Sequence, residues 1–158
     1  MQRIGLLFDC LRAPYDIAHI YQVVVALGNC DLYISGNSID PKHKKIISKV
    51  QSWGIEEIPS FRKFESLDDA TNHLHSEGKY LIGTSPHTKN NLYECDFIKH
   101  NSVIVFGTES SGLTKRKSLL LDDLVKIPMD SRCKFLTLPI AVPVVAYEFY
   151  RQIRESEK

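Results

Sequence analysis

The sequence predicts an α/β fold, a mostly parallel sheet flanked by helices, built as one domain over residues 1–158. Three observations lead there. Short apolar runs of strand length recur along the chain, and stretches with apolar residues at helical spacing separate them; that alternation is the signature of a parallel sheet covered on both faces. The 158 residues suit one domain of ordinary size. No internal repeat, low-complexity tract or linker interrupts them.

The elements follow in order. Residues 3–8 form a buried strand. Residues 16–27 form a helix, with Ile17, Ile20, Val24 and Leu27 at helical spacing, Pro14 ahead of it and Gly28-Asn29 as the stop. Residues 31–35 are a second strand. Asp40 and Pro41 are expected to cap and open a helix carrying Ile46, Ile47 and Val50 and ending at Trp53-Gly54. A short strand falls within 56–64, weakened by Pro59. A helix spans 66–75, with Ser66 as cap and Asp68 and Asp69 in the first turn, where the helix dipole favours acids. Strands are expected at 79–83, 102–106 and 124–128, an irregular surface loop at 85–101, and a closing helix at 138–155.

Composition narrows the function classes. Apolar residues make up 43% and charged residues 25%, close to the globular average. The net charge is only +1, so any nucleic-acid contact has to rest on local clusters. The apolar run 4–8 is too short for a signal segment, and no stretch of about 20 apolar residues occurs; a soluble, cytoplasmic protein without membrane partners is expected. Cys10, Cys30, Cys95 and Cys133 are widely spaced, which argues for free buried thiols in a reducing compartment and against a zinc site or disulfide framework. His73 and His75 do not share a helix face, so no metal is expected.

Chemistry concentrates in three segments: PYDIAHIYQVVVALG (14–28), VIVFGTESSGL (103–113) with KIPM (126–129), and FLTLPIAVPVVAYE (135–148). In the second, a buried strand runs into a turn where Gly107 and Gly112 let a ligand approach the main chain. Glu109 sits between them at the carboxyl end of the strand, where parallel α/β sheets bind ligands. A plain strand-to-helix turn with a solvated Glu is the competing reading. No GxGxxG or Walker loop is present, which disfavours a dinucleotide oxidoreductase.

These segments resemble the three motifs of the SpoU-type RNA ribose 2′-O-methyltransferases of the SPOUT class. FGTESSGL followed by IPM is similar to the second motif, and the spacing from Ile127 to Leu136 matches the step into the third. The resemblance implies a C-terminal trefoil knot whose loops bind S-adenosylmethionine, and a homodimer joined through the first and last helices. By position it implies that Gly107, Ile127, Met129 and Leu136 contact the cofactor, with Thr84 and Glu109 lining the same pocket. The implied partner is tRNA or rRNA, recognised by the domain itself and its dimer mate.

The motifs also depart from the family. Gln22 stands where the family has the Arg that steers the ribose hydroxyl, and Asp16 where it has Asn. Phe135, Thr137 and Pro139 replace Ser, Asn and Ser. Asp16, His19 and Gln22 lie three apart on one helix face, so Asp16 orienting His19 as general base is one route to catalysis. The alternative is His19 as a polar surface residue with Asp16 as helix cap. Arg12 and Arg132 are candidates for a displaced cation. Lys115, Arg116 and Lys117, beside the second motif, are candidates for phosphate contact, as is the 42–45 cluster. Two readings stay open: an active methyltransferase, or a SPOUT-fold protein that binds S-adenosylmethionine or RNA without catalysis.

Overall fold

The computed structural model describes residues 1–108 and 112–158. Its strands are β1 (Ile4–Asp9), β2 (Cys30–Ser35), β3 (Phe61–Phe64), β4 (Tyr80–Thr84), β5 (Ser102–Phe106) and β6 (Asp123–Val125). They form one six-stranded sheet in the order β3-β2-β1-β5-β4-β6, with every neighbouring pair parallel. The helices are α1 (Pro14–Leu27), α2 (Lys44–Ser52), α3 (Leu67–Ser76), α4 (Lys115–Ser118) and α5 (Leu138–Ser156), with a 3₁₀ turn at Leu92–Glu94.

Alternation along the central strands builds two cores. Ile4, Leu6 and Phe8 of β1 face α1 and α5, together with Ile104 and Phe106 of β5, and the Phe8 and Phe106 rings stack 5.2 Å apart. Leu7, Val103 and Val105 point the other way, onto Leu67, Ala70 and Leu74 of α3. Strands buried on both faces read as continuous apolar runs, which is why β1 and β5 were legible. Gln152 of α5 donates to the Cys95 carbonyl and accepts from the Phe97 amide, pinning the 92–97 segment to the closing helix.

Several boundaries differ from the sequence expectation, each for a local reason. Helix α1 starts at Pro14, with Ala13 in the cap position and Asp16 inside the first turn, so Asp16 is not its N-cap. Helix α2 starts three residues late, at Lys44 instead of Pro41. Asp40 accepts from the Lys42 amide and its carbonyl from the His43 amide, closing a turn, and His43 caps the helix instead. Strand β6 ends at Val125 because the Lys126 amide turns away to the Asn90 carbonyl. Short α4 and the 3₁₀ turn were not foreseen. Of the cysteines, all four are free but only Cys30 is buried; Cys133 is exposed. Burial pushes the Cys30 thiol up to about 12 and the Cys95 thiol to about 11, so neither is a nucleophile near neutral pH.

After β6, at the sheet edge, residues 126–137 return across the carboxyl ends of the strands to α5. That helix packs on α1, β1 and the 3₁₀ turn.

Candidate functional site

The return segment closes a cavity of about 340 Å³ at the carboxyl ends of β4, β5 and β6, within the usual size range of small-molecule sites. Three loops line it. From β4 come Thr84, Ser85, Pro86 and His87; from β5, Phe106, Gly107, Thr108 and Gly112; from β6, Lys126, Ile127, Met129, Lys134, Phe135 and Leu136. Leu138 and Ala141, in the first turn of α5, form one wall. The positive end of that helix's dipole therefore faces the cavity, which suits an anionic group of a ligand. Thr84, Gly107, Ile127, Met129 and Leu136 thus meet in one place. Glu109 lies outside the described residues.

The glycines of the β5 turn have different jobs. Gly112 sits at φ 64°, a left-handed conformation that favours glycine. Gly107 is needed for space: a Cβ there would run into the backbone of Gly112 and Leu113. A side chain at 107 therefore disrupts the turn itself before it reaches any ligand. Thr108 and Gly112 bond to each other across this turn, amide to carbonyl in both directions.

A buried ion pair ties the far end of the turn to the sheet. Lys117 of α4 donates to Asp9, at the end of β1, whose side chain is only 2% exposed. Ser35 Oγ donates to the same carboxylate over 2.9 Å. The hydrogen bond from Lys117 to Asp9 raises the lysine pKa. Arg116 pairs with Asp68 at 3.1 Å on the surface, and Lys115 is exposed. Arg132 pairs with Asp130, and Arg12 donates to the Asn37 carbonyl. Both are exposed.

Asp16, His19 and Gln22 are not among the described residues lining the cavity. His19 packs on the Trp53 ring at 5.1 Å, and Gln22 is exposed.

A family model for the SpoU rRNA Methylase family matches residues 3–147. The chain belongs to that family. A tRNA/rRNA methyltransferase of Synechocystis, itself described as uncharacterized, is 29% identical over 150 residues, covering 95% of this chain and 54% of the relative. A 23S rRNA (guanosine-2′-O-)-methyltransferase of Shewanella oneidensis is 30% identical over 154 residues, covering 94% and 59%. The chain thus spans a little over half the length of these relatives. The crystal structure of the SpoU methyltransferase AviRb from Streptomyces viridochromogenes, in complex with AdoMet, superposes with a TM-score of 0.82 at 24% identity, over 98% of this chain and 62% of that one.

Within this SpoU-family domain the cavity contains residues that sequence reasoning missed. His87 lies in the stretch read as a surface loop, Lys134 precedes the third segment, and Lys126 opens the KIPM segment but was given no role there. The signal that could have found His87 is topological: in a parallel sheet the loops after successive strands converge at one end. The last motif's Glu148 has a structural role. It is buried, and hydrogen bonds from Arg151 at 2.7 and 2.9 Å, with one from Gln152, hold its carboxyl below the usual range.

Proposed function

We propose that this chain is the catalytic domain of an S-adenosylmethionine-dependent RNA ribose 2′-O-methyltransferase acting on tRNA or rRNA. One observation carries the reading: Thr84, Gly107, Ile127, Met129 and Leu136, each assigned to the cofactor by motif position, line a single cavity at the carboxyl ends of three parallel strands. The donor set fits such a group. The walls are mostly apolar, main chain from three loops converges, and a helix N-terminus is available for a carboxylate. S-adenosylmethionine supplies a methyl group on a positively charged sulfur, ready for in-line displacement by a ribose oxygen.

The chain's own residues then hold and orient the reactants, and remove the hydroxyl proton. Asp16 and His19, in the first turns of α1, are the pair proposed for that proton, with Gln22 in the place of the family's Arg. Lys115, Arg116, Arg132 and Arg12 offer exposed cations for RNA phosphates; Lys117, drawn inward to Asp9, does not. A homodimer is proposed through α1 and α5, which pack together and expose Val25, Ile140 and Tyr147. Val145 and Phe149, by contrast, are used by the core. The return of residues 126–137 across the strand ends supports the trefoil knot that the resemblance implies. A cytoplasmic setting is part of the same proposal; among the described residues no helix is long and apolar enough to cross a membrane.

The test is transfer of labelled methyl from S-adenosylmethionine to bulk tRNA and rRNA, followed by nucleoside analysis. Label is expected on ribose, and His19→Ala is expected to lower the rate by about 10²-fold. Cofactor binding without transfer to any RNA pool would favour a binding protein instead.

A further inference from the structure

Phe135 stands at the mouth of the cavity with 60% of its surface exposed. It occupies a position where the family motif has Ser. Its backbone is held in place: the Cys133 amide bonds to the Asp130 carbonyl, and the Cys133 thiol donates to the Phe135 carbonyl at 3.2 Å. The ring is therefore presented to solvent from a turn rather than from a free tail. Lys126 and Lys134 line the same cavity, with His87 across it on the β4 loop. An exposed flat ring beside two cations is the pattern that recognises an unpaired nucleotide: a base on the ring, its phosphates on the lysines.

We propose that Phe135 is a stacking platform for a splayed base of the RNA, adjoining the ribose that receives the methyl group. The inference rests on the methyltransferase reading and adds to it the substrate class: a nucleotide in a loop, bulge or single strand. Bases inside an A-form helix stack on one another and have no face to offer a protein ring. A cavity of about 340 Å³ that takes the cofactor leaves the target base at the rim, where Phe135 lies.

The test compares Phe135→Ser, which restores the family's side chain, with Phe135→Trp. Single-stranded and duplex oligoribonucleotides are the probes, with and without S-adenosylmethionine. Phe135→Ser should weaken single-strand binding by about 5- to 150-fold, raise the RNA KM more than it lowers kcat, and leave cofactor affinity and melting temperature unchanged. Phe135→Trp should keep binding and show fluorescence quenching by the oligomer beyond that of the wild type, whose one tryptophan is Trp53. Unchanged RNA binding in Phe135→Ser would overturn the proposal. So would a loss of S-adenosylmethionine affinity, which would mean that the ring packs on the cofactor, or an equal dependence of duplex binding on the ring. Failure of the methyltransferase reading looks different: wild-type protein would then bind no RNA, or bind it and transfer nothing while the Phe135 variants still differ in binding.

Discussion

Lys117→Met probes how the turn after β5 is held. Asp9 is 2% exposed and accepts from two donors, Lys117 Nζ and Ser35 Oγ. Removing the cation leaves a buried carboxylate with one hydrogen bond. Breaking a buried pair costs about 3–5 kcal/mol, and the remaining Ser35 bond and the 24% exposure of Lys117 place this one near ~3 kcal/mol. For a chain of this size that is a fall in melting temperature of about 6–12 °C at pH 7. The pH dependence has a definite sign. In the wild type the raised Lys117 pKa means its contribution is complete below the ordinary lysine value and is lost only as pH rises through the folded one. The double variant Asp9→Asn, Lys117→Met should recover at least half of the loss, because no buried charge is left. Because α4 directly follows the Gly112–Leu113 turn, S-adenosylmethionine affinity should fall in Lys117→Met and recover in the double variant. Scanning calorimetry at several pH values, with ligand titration, reads all of this. A variant melting within about 2 °C of wild type would show the pair to be worth no more than a surface ion pair and would refute the reasoning.

Three further outcomes follow from the geometry. Gly107→Ala should lower stability by about 1–3 kcal/mol, since its Cβ meets the Gly112–Leu113 backbone; a thermal melt without ligand checks it, and an unchanged melt would place the turn elsewhere. Tyr147→Asp should shift the protein from twice the monomer mass towards the monomer in light scattering, with little change in the fold, because Tyr147 is 45% exposed on α5. Glu148→Gln should cost about 1.5–3 kcal/mol at pH 7, the scale of hydrogen bonds to a charged group. Its carboxyl pKa is lowered in the fold, so its stabilisation is present above the ordinary Glu value and lost as pH falls through the folded one; the gap between variant and wild type should close only at pH below the ordinary Glu value.

The parts of this fold that the sequence made legible are those governed by burial and local chemistry. Strands β1 and β5 are buried on both sides and show as apolar runs, and Ser66 announces α3 by capping it at 3.1 Å to the Asp69 amide. Asp40-Pro41 misled because its turn chemistry competes with capping: the same carboxylate that can cap a helix closes a turn on Lys42. Within the site, Gly107, Ile127 and Leu136 were found through motif resemblance, not periodicity. His87 and Lys134 reach the cavity only because three loops converge, a tertiary fact without a local signature. Lys117 looked like a surface cation in a basic run. Its partner is 108 residues away in sequence, and nothing near Lys117 marks it as inward-facing.

The central claim is that the cavity under the return segment holds the methyl donor. Titrating folded protein with S-adenosylmethionine, in parallel with Ala141→Phe, which places a ring in the cavity wall, tests it directly. Wild type should give saturable one-site heat and, at a ligand concentration of about 100 times Kd, about 2.7 kcal/mol of stabilisation, or roughly 5–11 °C in melting temperature. Ala141→Phe should fold and show neither effect. Absence of heat and of any melting shift in wild type at millimolar ligand, or full binding in a folded Ala141→Phe, would contradict it.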